Sequence, residues 1–322
     1  MPHVLVAGLI HEHGLDVLRR TPGLTFRLVE QVSTEAYAPF VAEADAILIR
    51  TQPLPAELIA KAQRLAIVSR HGVGYDAVDV AALNARKIPL TIVGDVNSRA
   101  VAEHTLMLLL AAARRTVAHD AAIRDGRWNE RNRFDAVELD GKELLVLGFG
   151  RIGRRVAELA RAFGMVVHAY DPFLAPEVIA ANGATPATGL MEGLASADYV
   201  SLHLPADPQG PVIGAAQLAA MKPSAILVNA ARGELVDEVA LDRALHDGKL
   251  RHAALDVFRS EPPAAGNPLL SNTRTTLSPH NAGLTQECAA RMGAVSAQNI
   301  VDFFAGKLNP ALVVNREAVQ AR

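Results

Sequence analysis

The chain holds one cysteine, Cys288, in 322 residues. That excludes an intramolecular disulfide and any metal site built from several thiolates, and it suits a reducing compartment, so a cytoplasmic location is expected. Charge excess is missing as well. The 32 basic and 34 acidic side chains give a net charge of −2, which leaves no electrostatic footprint for nucleic acid or an anionic membrane. Nor is there a long apolar run. The longest block, Thr105 to Ala113, stops far short of the roughly twenty residues a membrane span needs and reads as buried helix. No basic leader precedes the first apolar residues, Val4 to Ala7, so a signal peptide is not expected. Low-complexity segments and short-period repeats are absent from the sequence too.

What is present is an ordinary globular composition, 50% hydrophobic and 20% charged, in a chain long enough for two domains with sizeable cores. Residues 1–97 alternate short strand-like runs with amphipathic stretches. The strands are expected at Val4–Ala7, Thr25–Val29, Ala46–Ile49, Ala66–Ser69 and Leu90–Ile92, with helices such as Pro55–Ala62 and Ala77–Arg86 between them. Alternation at this spacing indicates βαβ units and a parallel sheet, hence an α/β fold. A long helix is expected from Ser98 to His119, capped by Asn97 or Ser98 and buried because it is apolar nearly all round. A polar stretch comes next, Arg124 to Asn132, with the only tryptophan, Trp128. A second αβ series starts at Glu143 and runs to about Leu284, and Thr285 to Phe304 again reads as helix. The residues after it are too few for a domain and must pack back onto one of the two bodies.

The second series opens with a dinucleotide fingerprint. Strand Leu144–Leu147 runs into Gly148-Phe149-Gly150-Arg151-Ile152-Gly153, and Val156, Leu159, Ala160 and Phe163 then mark one face of a helix stopped by Gly164. The next strand, Met165 to Tyr170, ends in Asp171. Gly148 permits the tight turn, Gly150 lets backbone approach a pyrophosphate, and Gly153 lets helix and strand pack closely. Asp171 would accept hydrogen bonds from the adenosine ribose hydroxyls and repel a 2′-phosphate, so NAD is expected in preference to NADP. A glycine turn beside a surface aspartate is the plainer alternative. Strand, helix, second strand and terminal acid in register favour the cofactor.

Three further stretches each come after a strand-like run: Ala231-Arg232-Gly233 after Ala225–Ala230, Glu261-Pro262-Pro263 after Ala253–Val257, and Ser278-Pro279-His280-Asn281-Ala282-Gly283 after Thr275–Leu277. Open parallel sheets bind ligands beyond the carboxyl ends of their strands. A guanidinium, a carboxylate and an imidazole are therefore expected at one sheet edge, the groups needed to hold a 2-hydroxy acid and move its hydroxyl proton. Singly, Arg232 could be a strand-end ion pair, Glu261 a solvated turn and His280 a loop histidine; jointly they read as one site. Other histidines compete. His203 ends the strand Tyr199–His203, before Leu204-Pro205, and is expected to wall the cofactor cleft. His104 in the long helix reads as a buried structural histidine, and His11 and His13 lack the companions of a metal site, so no metal is expected. Cys288 is expected to pack into the final helix.

With these motifs the chain resembles the D-isomer-specific 2-hydroxyacid dehydrogenase family, most closely its phosphoglycerate and hydroxypyruvate type. The resemblance runs from about Arg50 to Asn315, through Arg70 to Asp76, Val101 to His104, Gly148 to Gly153, Asn229 to Glu238, Ala254 to Phe258, Glu261 to Pro263 and Ser278 to Gly283. It implies that Arg232 binds the substrate carboxylate, that His280 is the acid and base, and that Glu261 orients the imidazole and favours its charged form. It assigns cofactor contacts to Gly148, Gly150, Arg151, Ile152, Gly153 and Asp171. Further cofactor contacts fall to His203, Leu204, Pro205, Ala230 and Ala231, and to Asp256 near the nicotinamide, with Asn281, Ala282 and Gly283. Gly72, Val73 and Gly74 would meet the carboxylate through backbone N–H groups, and Arg50 would meet a second anionic group, unless it forms a structural ion pair. The implied architecture is a Rossmann NAD-binding domain, residues 98–284, inserted into a discontinuous flavodoxin-like substrate domain, residues 1–97 plus 285–322. The helices starting near Ser98 and Thr285 would connect them, and closure would bring Arg50 and Gly74 to Arg232 and His280.

The family implies a homodimer, for which Arg124–Asn132 with Trp128 would be an interface element, while the sequence alone also allows a solvated loop there. Its pattern is departed from after Pro205, where Ala206-Asp207-Pro208-Gln209-Gly210 replaces threonines, which puts side-chain cofactor contacts there in doubt. The chain ends soon after Asn315, so feedback through a regulatory extension is not expected. Substrate and partner would be a small anionic 2-hydroxy or 2-oxo acid: 3-phosphoglycerate, glycerate or hydroxypyruvate, glyoxylate or sulfolactate. An NAD(H)-sensing corepressor-like protein is the alternative from another functional class.

Overall fold

The computed structural model describes residues 1–206 and 209–320. Asp207 and Pro208, within the stretch that departs from the family pattern, lie outside the described residues. The chain divides into two compact units, Met1–Asn97 with Leu284–Arg322, and Ser98–Gly283.

The first unit is built on five strands, β1 (His3–Ala7), β2 (Thr25–Val29), β3 (Ala46–Ile49), β4 (Ile67–Arg70) and β5 (Leu90–Thr91). They are parallel and lie in the order β2-β1-β3-β4-β5, the doubly wound order of flavodoxin-like sheets. Alternate residues of the central strands serve opposite faces, as the two-residue period of a strand requires. Leu5, Ile47, Ile49 and Val68 pack with Tyr37, Ile59 and Leu83 on one side. Val4, Val6, Leu48 and Ile67 pack with Leu15, Leu18, Ala297 and Ile300 on the other. Helices therefore cover both faces, which is why these strands read as unbroken apolar runs. The helix Gln286–Phe304, capped by Thr285, returns the chain to this unit and buries Cys288. It crosses the helix Glu12–Arg19 so closely that a Cβ on Gly14 would sit 2.7 Å from the Gly293 carbonyl oxygen.

The second unit holds β6 (Glu143–Leu147), β7 (Val166–Tyr170), β8 (Thr185–Pro186), β9 (Tyr199–Leu202), β10 (Ile226–Asn229), β11 (His252–Leu255) and β12 (Thr275–Leu277). All pairings are parallel, in the order β12-β11-β10-β9-β6-β7-β8. This is the Rossmann order extended by one edge strand, and it reverses direction between β6 and β9. Leu144, Val146, Ile226 and Val228 face the helices Ser98–Ala113 and Arg151–Ala162. Leu145, Leu147, Val200 and Leu227 face the opposite layer.

One expectation needs correction. The single helix expected over Ser98–His119 is two helices, Ser98–Ala113 and Thr116–Arg124, broken where Arg115 takes a left-handed conformation with φ 51°. The break is made by tertiary contacts, since the Val137 N–H donates to the Ala113 carbonyl at 2.9 Å and Arg115 pairs with Asp135. No glycine or proline announces it. The strand β8 had no sequence signal either, being two residues long with a proline. Among the described residues no helix is long and apolar enough to cross a membrane.

Three histidines are kept neutral by the cores. Burial pushes His71 down to about 4, helped by Arg50 and Arg70, and burial alone pushes His203 down to about 3. Burial, with Arg115, Arg251 and Arg274, takes His252 to about 4. An unfolded chain takes up these protons near the ordinary value of 6.5 while the folded one refuses them, so their contribution to stability is intact above that pH and lost on acidification. The melting temperature is expected to be flat above pH 7 and to fall steadily from about pH 6.5 to pH 4. A melting temperature unchanged over that window in a scanning calorimeter contradicts the assignment.

Candidate active site

Parallel register lines up the strand ends of the second unit. Tyr170, Leu147, Leu202, Asn229, Leu255 and Leu277 are successive Cα partners across the sheet. The residues immediately after them are Asp171, Gly148, His203, Ala230, Asp256 and Ser278. One edge therefore receives every candidate motif of this unit, at the topological switch point where such sheets bind ligands.

At the centre of the edge is the glycine turn. Gly148 has φ +87°, and a Cβ there would lie 2.5 Å from the His203 carbonyl oxygen; one on Gly153 would lie 2.1 Å from the Gly148 carbonyl oxygen. No other residue type fits either place. Around Gly150, in contrast, a Cβ would meet nothing within 4 Å, which leaves the start of the helix Arg151–Ala162 open to an anion. Asp171 closes the turn, its Oδ2 accepting from the Phe149 N–H at 2.9 Å and its Oδ1 from the Phe173 N–H at 3.0 Å. The residues present thus fit a dinucleotide, with the glycines shaping the approach and the carboxylate standing at the end of β7. His203 forms the wall opposite Gly148 through its backbone, while its Nε2 lies 2.8 Å from Ser201 Oγ. Leu204 and Pro205 continue from it along the same edge.

Next to the turn, β10 delivers Ala230, Ala231 and Arg232. Buried Asn229 ends the strand and clamps the backbone of these residues: its Oδ1 accepts from the Ala231 N–H at 3.0 Å and its Nδ2 donates to the Arg232 carbonyl at 2.8 Å. Gly233 then passes the backbone of Phe258 with no room for a side chain, a Cβ falling 1.9 Å from the Phe258 carbonyl carbon. The Arg232 guanidinium donates to the Ala231 carbonyl at 2.7 Å.

Beyond β11 and β12 the imidazole and carboxylate meet. His280 Nδ1 lies 2.5 Å from Glu261 Oε2, with both side chains partly exposed. Burial raises the Glu261 carboxyl, but the hydrogen bonds from His280 and the Phe258 N–H outweigh it and hold the group below the usual carboxylate range. A cavity of about 480 Å³ opens beside the pair, walled by Phe258, Pro262, Pro263, Leu270, Leu277 and Pro279.

His280 itself is in the left-handed region, φ 48°, and Asp256 holds it there. This carboxylate is fully buried. It accepts from Ser278 Oγ at 2.6 Å and from the N–H groups of Asn281 and Ala282, both at 3.0 Å, while the His280 N–H donates to the Asp256 carbonyl at 2.7 Å. Burial favours its neutral form, yet His104, Ser278 and the two N–H donors keep its pKa below the ordinary value. His104 Nε2 is 2.9 Å from Ser278 Oγ and 3.3 Å from Asp256 Oδ1. The structure thus gathers Arg232, Glu261, His280, Asp256, Asn281, Ala282 and the glycine turn at one edge.

Arg50, Gly72, Val73 and Gly74 belong to the other unit, at the carboxyl edge of its own sheet. Ile49 and Arg70 are Cα partners there, so Arg50 and His71 come next, side by side. Arg50 donates to the Leu9 carbonyl at 3.1 Å, and burial lowers its pKa. Arg70 donates to the His71 carbonyl at 2.6 Å, and Gly72 turns with φ +143°. His11 accepts from the His13 N–H as a helix cap, and no cluster able to hold a metal occurs among the described residues. Sequence reasoning missed the parts played by Asn229, Ser278 and His104. A polar residue closing an apolar strand was the available signal for Asn229; His104 and Ser278 are 174 residues apart and gave none.

Residues 106–282 match the family model described as D-isomer specific 2-hydroxyacid dehydrogenase, NAD binding domain. The chain belongs to this family. A glyoxylate reductase of Aeropyrum pernix is 41% identical over 288 residues, covering 87% of this chain and 85% of that one. A D-3-phosphoglycerate dehydrogenase of Methanocaldococcus jannaschii is 37% identical over 96% of this chain, which spans only 58% of that longer protein. Among solved structures, an NADPH-dependent glyoxylate/hydroxypyruvate reductase of Sinorhizobium meliloti superimposes with a TM-score of 0.85, at 29% identity and 98% coverage of each chain. The family match places an NAD(P)-binding domain on the second unit, in agreement with its glycine turn.

Replacing Asp256 by Asn would turn an amide N–H2 toward the backbone N–H of Asn281 or of Ala282, neither of which can accept. Urea unfolding of Asp256→Asn is expected to show a loss of about 2–4 kcal/mol. An unchanged midpoint would mean that the carboxylate is not what organises this edge.

Proposed function

We propose that the chain transfers a hydride between a nicotinamide dinucleotide and C2 of a small 2-hydroxy or 2-oxo acid, with NAD(H) preferred. The observation that carries this reading is the 2.5 Å contact between His280 Nδ1 and Glu261 Oε2 on the sheet edge that also bears the glycine turn and Arg232. When bound, the nicotinamide supplies the hydride to C2 or accepts it. The chain's residues do the rest. Arg232 offers the planar donor fork suited to a carboxylate. With Nδ1–H committed to Glu261, Nε2 of His280 is the nitrogen left to pass a proton to the C2 oxygen on reduction and remove it on oxidation. General acid–base work of this kind contributes roughly 10²–10⁴ in rate. Glu261 fixes the ring and its tautomer, and Asn229 and Asp256 hold the backbones from which Arg232 and His280 project.

Asp171 supports the preference for NAD, because a carboxylate at the end of β7 repels a 2′-phosphate. Arg50, with the Gly72–Gly74 backbone, is assigned to the substrate. Arg70 and His71 stand beside Arg50 on the same sheet edge, and two guanidiniums there favour an acid with a second anionic group, such as phosphate or sulfonate, over glyoxylate.

The test is absorbance loss of NADH with glyoxylate, hydroxypyruvate, pyruvate, phosphohydroxypyruvate and sulfopyruvate. One acid should turn over fast, His280→Ala should lose at least about a hundredfold, and NADPH should serve poorly until Asp171 is replaced by Ala. Tight NADH binding with no turnover of any acid would overturn the enzyme reading in favour of an NAD(H) sensor.

We also propose a homodimer. Trp128 is 62% and Phe134 89% exposed, large apolar side chains on one arm that a second copy would cover. Light scattering should give the mass of two chains, and Trp128→Glu the mass of one; a monomeric parent protein rules the dimer out.

A further inference from the structure

We propose that His104 is a positioning residue, fixing the turn that carries His280 by way of Ser278 and Asp256, a role that rests on the dehydrogenase reading. The hydrogen inventory requires its part. Ser278 has one hydroxyl hydrogen, and the 2.6 Å contact commits it to Asp256 Oδ1. The Ser278 oxygen can then only accept from His104 Nε2 at 2.9 Å, so that nitrogen must carry the hydrogen. The same N–H lies 3.3 Å from Asp256 Oδ1 and is shared between the two acceptors. His104 is thus the outermost donor of a chain that runs through Ser278 Oγ and the buried carboxylate to the N–H groups of Asn281 and Ala282. Those groups come directly after His280, and His280 occupies a left-handed conformation that its β-carbon disfavours.

His104 is well placed for the task. It sits on the long helix Ser98–Ala113 with only 15% of its side chain exposed, and the neighbouring Val101, Thr105 and Leu108 are buried. A rigid element therefore backs a turn that no regular structure supports. Without the imidazole, Ser278 loses the donor that orients its hydroxyl, and Asp256 keeps its charge with one donor fewer. The N–H groups of Asn281 and Ala282 are then held less firmly, and the imidazole of His280 loses its fixed direction. Small misplacements of a reacting group are costly in rate while leaving binding nearly intact.

Two variants and two readouts decide it. His104→Ala should lower kcat by about tenfold or more while KM and the Kd for NADH stay within about twofold. His104→Gln, whose amide N–H2 can reach the same acceptors, should recover most of the loss. Hydrogen exchange at the Asn281 and Ala282 amides should speed up in the Ala variant and return toward the parent rate in the Gln variant. Parental kcat and parental exchange in a folded His104→Ala overturn the proposal. So does a folded His104→Gln as impaired as the Ala variant, which would reduce the role to packing. Exchange needs no turnover, so a parent protein that reduces no acid would defeat the dehydrogenase reading while exchange still tests the link from His104 to the turn.

Discussion

A single buried carboxylate organises the chemically equipped edge of this molecule. Asp256 is removed from water entirely, and an isolated charge in that position would be prohibitive. It is tolerated because a serine hydroxyl, two backbone N–H groups and an imidazole converge on it. The benefit runs both ways. The hydroxyl and the two N–H groups belong to the loop after β12, which has no helix or strand of its own, and the charge obliges that loop to keep one shape. A left-handed histidine and a short imidazole–carboxylate contact can then persist on otherwise irregular backbone.

Register does for the whole edge what Asp256 does for one loop. Because every strand of the second sheet is parallel and pairs without a bulge, six strand ends fall in one row and six loops leave from the same side. The glycine turn is then fixed by contact. Gly148 is pressed against the His203 carbonyl and Gly153 against Gly148, so neither loop can shift without the other.

Much of this was legible in the sequence. The strands of the second unit are apolar runs with distinctive residues immediately after them, and a period-two core leaves little choice of face. The fingerprint at Gly148 and the pair Glu261 and His280 were readable because each is a local pattern at the end of such a run. What stayed hidden is non-local. The left-handed break at Arg115 is made by Asp135 and Val137, and nothing in the helical sequence before it signals a stop. His104 read as a structural histidine since its partners lie 152 and 174 residues away. The donors around Asp256 were hidden for the same reason: only the folded chain brings them together.

The imidazole of His280 is 51% exposed and the Glu261 carboxylate 36%. A short hydrogen bond at that depth is in direct communication with bulk solvent. On the proposed role, a proton that His280 gives up is replaced by water or buffer without a wire of internal groups, so the interior is free to be built for rigidity alone. Asp256, Ser278 and His104 can therefore be locked as firmly as packing allows, since no proton has to travel through them.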